Sequence, residues 1–255
     1  MNSLTVVLPA YNEQENIETL FSKWKAQRDT LSNKYGLKLH VVVVDDGSSD
    51  RTSEIAERIE KEETDFTLVS HHQNRGLGEA MKTGINHFLS QCPDSQYMCL
   101  MDCDNTQDPF YISDMLDCAY RDGADVAIAS RYRDGAEVRG VSGMRLLMSQ
   151  GARFIFSILL RVPGVRDYTC GYRLYAREIL LAASERYGDK LVEESGFTCM
   201  VELLYKLYRC GAVFSEIPFK LRYDHKIGAS KMSVLKTAFR SILLALRLKK
   251  IKGLR

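Results

Sequence analysis

The first half of the chain alternates short runs of β-forming residues with amphipathic helical segments. This alternation is typical of successive strand–helix–strand units, in which parallel strands form one sheet with helices on its faces. The pattern predicts strands within residues 4–8, 39–44, 66–69, 97–101 and 126–129. Helices are predicted near residues 16–28, 52–61, 76–89 and 111–120. We therefore expect an α/β, Rossmann-like domain that binds its ligands beyond the carboxyl ends of mainly parallel strands.

After residue 130 this regular alternation stops. The remaining predicted elements are two helices and a strand, near residues 144–160, 197–208 and 213–221. The first of these helices is apolar on most sides, but Arg145, Ser149 and Arg153 recur every four residues. That spacing places the three side chains on one face of the helix. We therefore predict a single polar stripe on this helix.

The C-terminal segment has the pattern of a basic amphipathic helix. Between residues 233 and 252, one helical face is apolar while Lys236, Arg240 and Arg247 lie elsewhere. The residues of the apolar face are Leu235, Ala238, Phe239, Ile242, Leu243 and Leu246. Such a helix lies in the interface of an anionic membrane or packs on the protein's own core. No apolar stretch reaches the roughly 18 residues needed to span a bilayer. We expect one α/β domain over residues 1–232 and an interfacial amphipathic helix over residues 233–255.

Composition narrows the function classes. Lys and Arg total 35 against 33 acids, so the net charge of +2 gives no reason to expect a nucleic-acid partner. Residues 232–255 nevertheless contain Lys and Arg but no acid, which points this end toward an anionic surface. The seven cysteines include no CxxC pair, so neither a zinc site nor a disulfide framework is predicted. Reduced thiols indicate a reducing, cytoplasmic setting.

The strongest local feature is a pair of aspartates, Asp102 and Asp104, where the fourth predicted strand ends. Carboxylates this close repel each other and stay ionised most readily when a divalent cation lies between them. The pair therefore predicts a site for Mg²⁺ or Mn²⁺. A solvated turn is the alternative, because Asp104-Asn105 before Asp108-Pro109 is also turn chemistry. The residues alone leave both interpretations open.

Polar residues also follow the first two predicted strands. Tyr11 and Glu13 offer an aromatic ring beside a carboxylate, and Asp45 can accept hydrogen bonds from a ribose or a base edge. Both features are suited to nucleoside binding, although acids near Thr52 also serve to cap the helix predicted there. The glycine turn at residues 74–78 lacks the third glycine of a dinucleotide fingerprint. It therefore argues against a nicotinamide cofactor.

Taken in order, these segments resemble the family 2 inverting glycosyltransferases of the GT-A fold. The matching segments are residues 9–16, 45–52, 76–80, 102–109 and 130–132. Residues 167–173 and 228–231 resemble more specifically the polyprenyl-phosphate branch, which includes the dolichol-phosphate mannosyltransferases. The resemblance implies transfer of a hexose, mannose first, from GDP-mannose or a UDP-sugar to a polyprenyl or dolichyl phosphate. It also implies peripheral attachment to the cytoplasmic face of a membrane, alone or through a membrane-anchoring subunit.

The resemblance further implies a role for individual residues. The nucleotide-sugar contacts would be Pro9, Tyr11, Glu13, Val43, Asp45, Asp102, Cys103, Asp104, Arg131, Arg222 and Lys231. Asp104 and Arg131 would be catalytic by stabilising the leaving diphosphate, and Arg145 and Ser149 would bind the acceptor phosphate. The metal ligands would be Asp102, Asp104 and Gln107. Here the sequence departs from the family pattern, because the glutamine expected two residues after the second aspartate is replaced by Thr106 and stands one position later.

Two other functions stay open on the sequence. A family 2 transferase with a soluble or polysaccharide acceptor needs a carboxylate base, and Asp167, Glu193 or Glu194 are candidates. A lipid monophosphate needs no such base, because its second pKa near 6 leaves it largely ionised at neutral pH. The second alternative is a subunit that binds a sugar nucleotide without catalysis, against which the intact Asp102 and Asp104 argue.

Overall fold

We describe residues 2–141, 143–225 and 242–250 of the computed structural model, with side chains except at residues 144–148 and 225. The strands in these ranges are β1 (Ser3–Ala10), β2 (Lys38–Asp45), β3 (Phe66–Ser70), β4 (Ser95–Leu100), β5 (Val126–Ser130), β6 (Glu137–Arg139), β7 (Arg173–Ala176), β8 (Phe214–Pro218) and β9 (Lys220–Arg222). The helices are α1 (Ile17–Lys25), α2 (Arg28–Tyr35), α3 (Thr52–Glu62), α4 (Leu77–Gln91), α5 (Ile112–Asp122), α6 (Gly143–Leu159), α7 (Arg177–Tyr187) and α8 (Cys199–Arg209).

Seven of these strands form one sheet in the order β3-β2-β1-β4-β7-β5-β8. Every neighbouring pair is parallel except those of β7, which runs antiparallel to both β4 and β5. The strands β6 and β9 form a separate parallel pair. This arrangement confirms the predicted α/β class, and the carboxyl ends of β1, β2 and β4 lie at one edge of the sheet.

The central strands are continuous hydrophobic runs because helices cover both faces of the sheet. Residues 41–44 of β2 are four valines with no exposed surface. Helix α4 lies close against β1 at Gly84, where an added Cβ would come within 2.3 Å of Val7 Cγ1. Glycine at this position lets the helix backbone approach the sheet. The core therefore fixes the strand ends from which the site is built.

All five strands and four helices predicted in the first half of the chain are present, and the two later predicted helices correspond to α6 and α8. The predicted helix at residues 16–28 ends earlier, and a second helix, α2, follows it. The predicted strand at residues 213–221 is divided between β8 and β9, which belong to different sheets. Strand β7 and helix α7 were not predicted.

Residues 242–248 form a helical segment that packs on the domain. Its buried side chains are Leu244, Ala245 and Leu248, whereas Leu243 and Leu246 are 53% and 49% exposed. The sequence pattern had assigned Leu243 and Leu246 to the apolar face, so the face that packs on the core is a different one. The predicted start of this helix at residue 233 lies outside the described residues. Within the described ranges, no helix is long and apolar enough to cross a membrane.

Candidate active site

The segments that follow β1 and β2 are joined by hydrogen bonds. The backbone N–H of Ser49 donates to Asn12 Oδ1 at 2.8 Å, and the backbone N–H of Glu13 donates to Thr52 Oγ1 at 2.8 Å. Asn12 has a φ of 54°, a left-handed conformation that asparagine tolerates better than most residues. The segments that carry the predicted nucleoside contacts at the two strand ends are therefore held together.

The two aspartates that end β2 have different roles. Asp46 accepts hydrogen bonds from the backbone N–H groups of Arg75 and Gly76 at 3.0 and 2.8 Å, and His71 Nδ1 lies 2.7 Å from it. It therefore fixes the glycine turn that begins α4. Asp45 accepts instead from the amide of Ser48 within its own turn. Of the pair, Asp45 stays the predicted nucleoside contact.

The loop after β4 is held by its own polar side chains. Thr106 donates to Asp104 Oδ1 through its backbone N–H at 3.1 Å and its hydroxyl at 2.6 Å. Gln107 Nε2 donates to Asp102 Oδ2 at 2.8 Å, and Gln107 Oε1 accepts from the Asp102 backbone N–H at 3.3 Å. Thr106 and Gln107 thus orient one aspartate each, and direct ligation of a metal by Gln107 stays a prediction.

The buried thiol of Cys103 lies within the electrostatic influence of the acidic groups. Burial raises the pKa of this thiol well above its ordinary value, and the nearby charges of Glu13, Asp104, Asp102 and Asp45 raise it further. The four carboxylates that the resemblance assigned to the nucleotide sugar and its metal therefore all lie close enough to this thiol to affect its ionisation. Cys103 itself is only 3% exposed, so its side chain supports the loop from within.

The acidic pair fits a divalent cation that a ligand helps to hold. Among the described residues, no three of these carboxylates have oxygens within 4.8 Å of one another, so the protein offers a pair and not a cage. Mg²⁺ is commonly bound by one or two carboxylates together with the phosphates of a substrate. Asp102 and Asp104, one residue apart at the end of β4, supply such a pair of hard oxygen ligands.

Gly171 packs directly against this pair, which the sequence did not reveal. A Cβ at position 171 would lie 3.0 and 3.2 Å from the two carboxylate oxygens of Asp102. Contacts this short are tighter than van der Waals packing allows without a shift of the neighbour. Glycine at position 171 therefore gives the Asp102 side chain room to lie beside the loop that precedes β7.

Arg131, directly after β5, is held by a buried ion pair with Asp167. Its Nε and Nη2 donate to the two carboxylate oxygens at 2.8 and 2.6 Å, and Nη2 also donates to Thr169 Oγ1. Burial raises the pKa of Asp167, but the charge and hydrogen bonds of Arg131 outweigh this effect and lower the pKa below its ordinary value. No partner for Arg131 Nη1 occurs in the described part of the chain, and 18% of the side chain is exposed. The fork thus has donors left for an anionic ligand.

The predicted polar stripe of α6 faces the segment that follows Arg131. Ser149 Oγ lies 2.5 Å from the hydroxyl of Tyr132, and the guanidinium of Arg153 lies over the Tyr132 ring at 4.6 Å from its centroid. Two members of the stripe therefore meet the strand end that carries Arg131. Arg145 belongs to the same helix, but its side chain lies outside the described residues.

The remaining predicted contacts are placed less directly. The backbone N–H of Arg222 donates to Thr106 O at 2.9 Å, which brings β9 beside the acidic loop, while the Arg222 side chain pairs with Asp224. Pro9 is partly exposed at the end of β1, but Val43 is fully buried within β2 and offers no side-chain surface. Lys231 lies outside the described residues.

Glu216 of β8 is a further buried acid that sequence reasoning missed. One of its oxygens accepts from the backbone N–H groups of Arg166 and Asp167, both at 2.7 Å, and the other accepts from Arg133 at 3.0 Å. It thereby fixes the loop that presents Asp167 to Arg131. The charge pattern of the strand gave no signal for this role, because the partners are distant in sequence.

The sequence model of Glycosyl transferase family 2 matches residues 5–182, and the chain belongs to this family. Polyprenol monophosphomannose synthase of Mycolicibacterium smegmatis is 32% identical over 229 residues, which are 89% of this chain and 80% of that protein. Dolichol-phosphate mannosyltransferase of Pyrococcus furiosus is 29% identical over 252 residues, 98% of this chain and 64% of the archaeal protein. This chain thus spans less than two thirds of the archaeal relative's length.

The fold also matches a solved structure. The mannosyltransferase PcManGT of Pyrobaculum calidifontis, in complex with GDP-Man and Mn²⁺, superimposes with a TM-score of 0.60. The match covers 98% of this chain and 65% of that one at 16% identity. At this identity the likeness shows the GT-A fold, and the site residues of this chain are argued from its own geometry.

Proposed function

We propose that this protein transfers mannose from GDP-mannose to the phosphate of a polyprenol, with inversion at the anomeric carbon. Both curated relatives carry names of mannosyl transfer to a polyprenol or dolichol phosphate. The solved mannosyltransferase structure that this fold resembles contains GDP-Man and Mn²⁺. These names support the donor and acceptor classes, and the geometry of the site supports the type of acceptor.

The observation that carries the proposal is the ion pair of Asp167. A hydroxyl acceptor needs a carboxylate that removes its proton. Asp167 is fully buried and bound to Arg131, which favours its ionised form but holds both oxygens. The other two candidate bases are also paired, Glu193 with Lys206 and Glu194 with Arg247. A phosphate acceptor, already ionised, requires none of them.

On the donor side, the chain supplies an acidic pair and a guanidinium. Asp102 and Asp104 would hold a divalent cation, Mg²⁺ or Mn²⁺, since both ions prefer oxygen ligands. When bound, such a cation stabilises the negative charge that develops on the departing diphosphate. Arg131 is held in place by Asp167, and its remaining N–H groups can bind the same diphosphate. Because these hydrogen-bond donors are already in position, they require no reorganisation during the reaction.

On the acceptor side, α6 and the end of β5 lie together. Ser149 and Tyr132 are in hydrogen-bond contact, and Arg153 adds positive charge beside them. With Arg145 on the same helix, this group would orient the lipid phosphate for attack on the anomeric carbon. A single in-line displacement inverts the configuration at that carbon.

A membrane surface is the proposed setting for the acceptor. Ile242, Leu243 and Leu246 are exposed on the outer side of the C-terminal helical segment, and Phe154 of α6 is 66% exposed. Apolar side chains with flanking lysines are suited to the interface of an anionic leaflet, where each basic residue contributes about 1 kcal/mol. The free thiols of all seven cysteines support a cytoplasmic-face location.

Vesicle binding tests the membrane part of the proposal. We expect Leu243→Ser with Leu246→Ser to weaken sedimentation with anionic vesicles at least several-fold, because both substitutions remove exposed apolar area. Leu181→Ser is the matched control, since Leu181 is an exposed leucine of α7, outside the proposed surface. Equal binding by the double variant and the control would assign attachment to another surface or to a separate anchoring subunit.

Transfer of a labelled sugar tests the reaction. The assay compares GDP-mannose, UDP-glucose and UDP-N-acetylglucosamine as donors, and polyprenyl phosphate, unphosphorylated polyprenol and a soluble oligosaccharide as acceptors. We expect a lipid product only from GDP-mannose with polyprenyl phosphate, and only when Mg²⁺ or Mn²⁺ is present. Transfer to the free polyprenol or the oligosaccharide would favour the rival that uses a hydroxyl acceptor. Donor binding without any product would favour a non-catalytic subunit.

A further inference from the structure

A second cluster of ligand-type side chains lies at the opposite edge of the sheet. His40 is the third residue of β2, His87 belongs to the last turns of α4, and Cys92 directly follows that helix. Five residues of strand separate His40 from Asp45, about 16 Å at 3.3 Å per residue. The cluster therefore lies near the amino ends of the strands, well away from the acidic pair.

The spacing of the cluster is compatible with a metal site. One ligand atom from each of His40, His87 and Cys92 lies within 4.8 Å of the other two. Within the ranges that the structure describes, no other three His, Cys, Asp or Glu residues meet this condition. All three side chains are partly exposed, so an ion can reach them from solvent.

The surroundings hold these side chains in place. Thr67 Oγ1 lies 3.2 Å from Nε2 of His40 and fixes the orientation of the ring, as partners of metal-bound histidines do. Arg177 donates to the carbonyls of Leu89 and Cys92 at 2.7 and 3.0 Å, which fixes the end of α4. These contacts restrict the positions of the His40 ring and of the chain at Cys92.

Electrostatics favours the ligand form of the two imidazoles. Burial lowers the pKa of His87, and burial together with the charge of His87 lowers the pKa of His40. The neutral form of each ring, which has a lone pair available for a metal, is thereby favoured. Burial raises the pKa of the Cys92 thiol above its ordinary value, and a hydrogen bond with Thr5 and the charge of Arg177 offset this only in part. The thiol proton must leave for a metal to bind.

We propose that His40, His87 and Cys92 bind a borderline transition metal ion, with Zn²⁺ as the preferred occupant. Two imidazole nitrogens and one thiolate sulfur suit Zn²⁺ and Co²⁺ and disfavour Mg²⁺ and Mn²⁺, which prefer oxygen. A water molecule completes a tetrahedral set. On binding, the metal–sulfur bond replaces the S–H bond of Cys92, and the proton passes to solvent. The site would tie β2 to α4 and is independent of the sugar transfer.

Co²⁺ titration of the full chain provides the first test, because thiolate bound to Co²⁺ gives a charge-transfer absorption that carboxylate ligands do not. We expect one equivalent of Co²⁺ to produce this absorption and one equivalent of Zn²⁺ to remove it. Cys92→Ser should abolish the absorption. Cys210→Ser is the matched control, since Cys210 is likewise half-buried but lies outside the cluster. Loss of the signal in the control, or its persistence in Cys92→Ser, would overturn the proposal.

Histidine variants and a stability measurement provide a test that does not depend on the Co²⁺ absorption. His87→Asn should weaken Zn²⁺ affinity, measured by competition with a chromophoric chelator, at least tenfold. His72→Asn, an exposed histidine elsewhere, should leave it unchanged. Zn²⁺ should raise the melting temperature of the wild type but not of Cys92→Ser. Equal Zn²⁺ affinity in all variants would show that the ion binds elsewhere and would refute the site. Loss of Zn²⁺ binding in Asp102→Asn would refute it in the same way.

Discussion

In the candidate site, the carboxylates before residue 131 are fixed mainly by hydrogen bonds to backbone amides, whereas those that follow it are fixed by buried ion pairs. In the first region, Asp46 accepts from backbone amides of the turn that begins α4, and Asp104 accepts from the amide of Thr106 in its own loop. In the second, Asp167 is bound to Arg131, and Glu216 to Arg133. Loss of a charge should therefore affect chemistry in the first region, and stability as well in the second. The following variants test that difference.

Removal of the charge of Asp104 should have the largest effect. Asp104→Asn keeps the acceptor oxygen for Thr106 but removes half of the acidic pair, so the fold should persist while cation binding fails. Loss of about 3 kcal/mol of leaving-group stabilisation corresponds to a fall in kcat/KM of roughly two orders of magnitude. Steady-state kinetics with Mn²⁺ provide the measurement.

Asp108→Asn is the control for this variant, because it removes a charge from the same loop while keeping an acceptor for the Phe110 amide. We expect it to retain nearly full activity. Comparable losses in the two variants would mean that the loop's total charge, and not the acidic pair, is what matters.

Asp167→Asn should break a buried pair and lower the free energy of unfolding by about 3 kcal/mol. Asp224→Asn breaks the exposed pair with Arg222 and should change the free energy of unfolding by less than about 1 kcal/mol. Denaturant unfolding at pH 7 measures both. If Asp167 were instead a catalytic base, Asp167→Asn would remove the acidic limb of the pH–rate profile and leave stability nearly intact.

The lowered pKa of Asp167 sets the pH dependence of this difference. A carboxyl with a depressed folded-state pKa contributes its full stability above the unfolded value of about 3.9 and loses it as pH falls through the folded value. The stability difference between wild type and Asp167→Asn should therefore be constant from pH 8 to about pH 5. It should shrink below about pH 4, and a difference that shrinks near neutral pH would contradict the assignment.

Gly171→Ala should have an intermediate effect on activity, because Gly171 lies in the second region and packs against Asp102 of the first. The new Cβ would press on the Asp102 carboxylate at 3.0 Å and displace it by a few tenths of an ångström. We expect kcat/KM to fall by about tenfold, with a higher requirement for Mn²⁺. Gly196→Ala, whose Cβ would meet nothing within 4 Å, is the control. An unchanged Mn²⁺ requirement would separate Gly171 from the cation site.

Ser149→Ala should have the smallest effect. It removes the hydrogen bond to Tyr132, worth about 1 kcal/mol, and should raise the KM for polyprenyl phosphate roughly fivefold without changing that for GDP-mannose. Ser157→Ala is the control, because Ser157 lies on the same helix and bonds only to the carbonyl of Phe154 in the described contacts. Equal changes in both KM values would place Ser149 outside the acceptor site.

The sequence was sufficient for the parallel core, because each strand of it is a hydrophobic run followed by a turn. It was insufficient where tertiary contacts decide. Strand β7 has only four residues, begins with the buried Arg173, and runs antiparallel between two parallel strands. Helix α2 has Leu31 as its only buried residue, so it has no apolar periodicity to detect. Neither element has a local signal.

The same limit applies to the candidate site. Carboxylates at strand ends could be predicted because the carboxyl edge of a parallel sheet gathers ligands. Contacts such as Gly171 against Asp102 join segments nearly seventy positions apart, and no spacing rule describes them. The absence of a CxxC pair likewise predicted no zinc site, whereas the fold assembles a candidate from β2 and α4.

The carboxylates around Cys103 also determine how this protein meets thiol-directed chemicals. Only the thiolate attacks electrophiles, and burial together with Glu13, Asp45, Asp102 and Asp104 suppresses its formation. Alkylating reagents and peroxides should therefore leave Cys103 unmodified although it sits between the two aspartates of the acidic pair. A covalent inhibitor designed against the proposed nucleotide-sugar site would therefore not react with this cysteine.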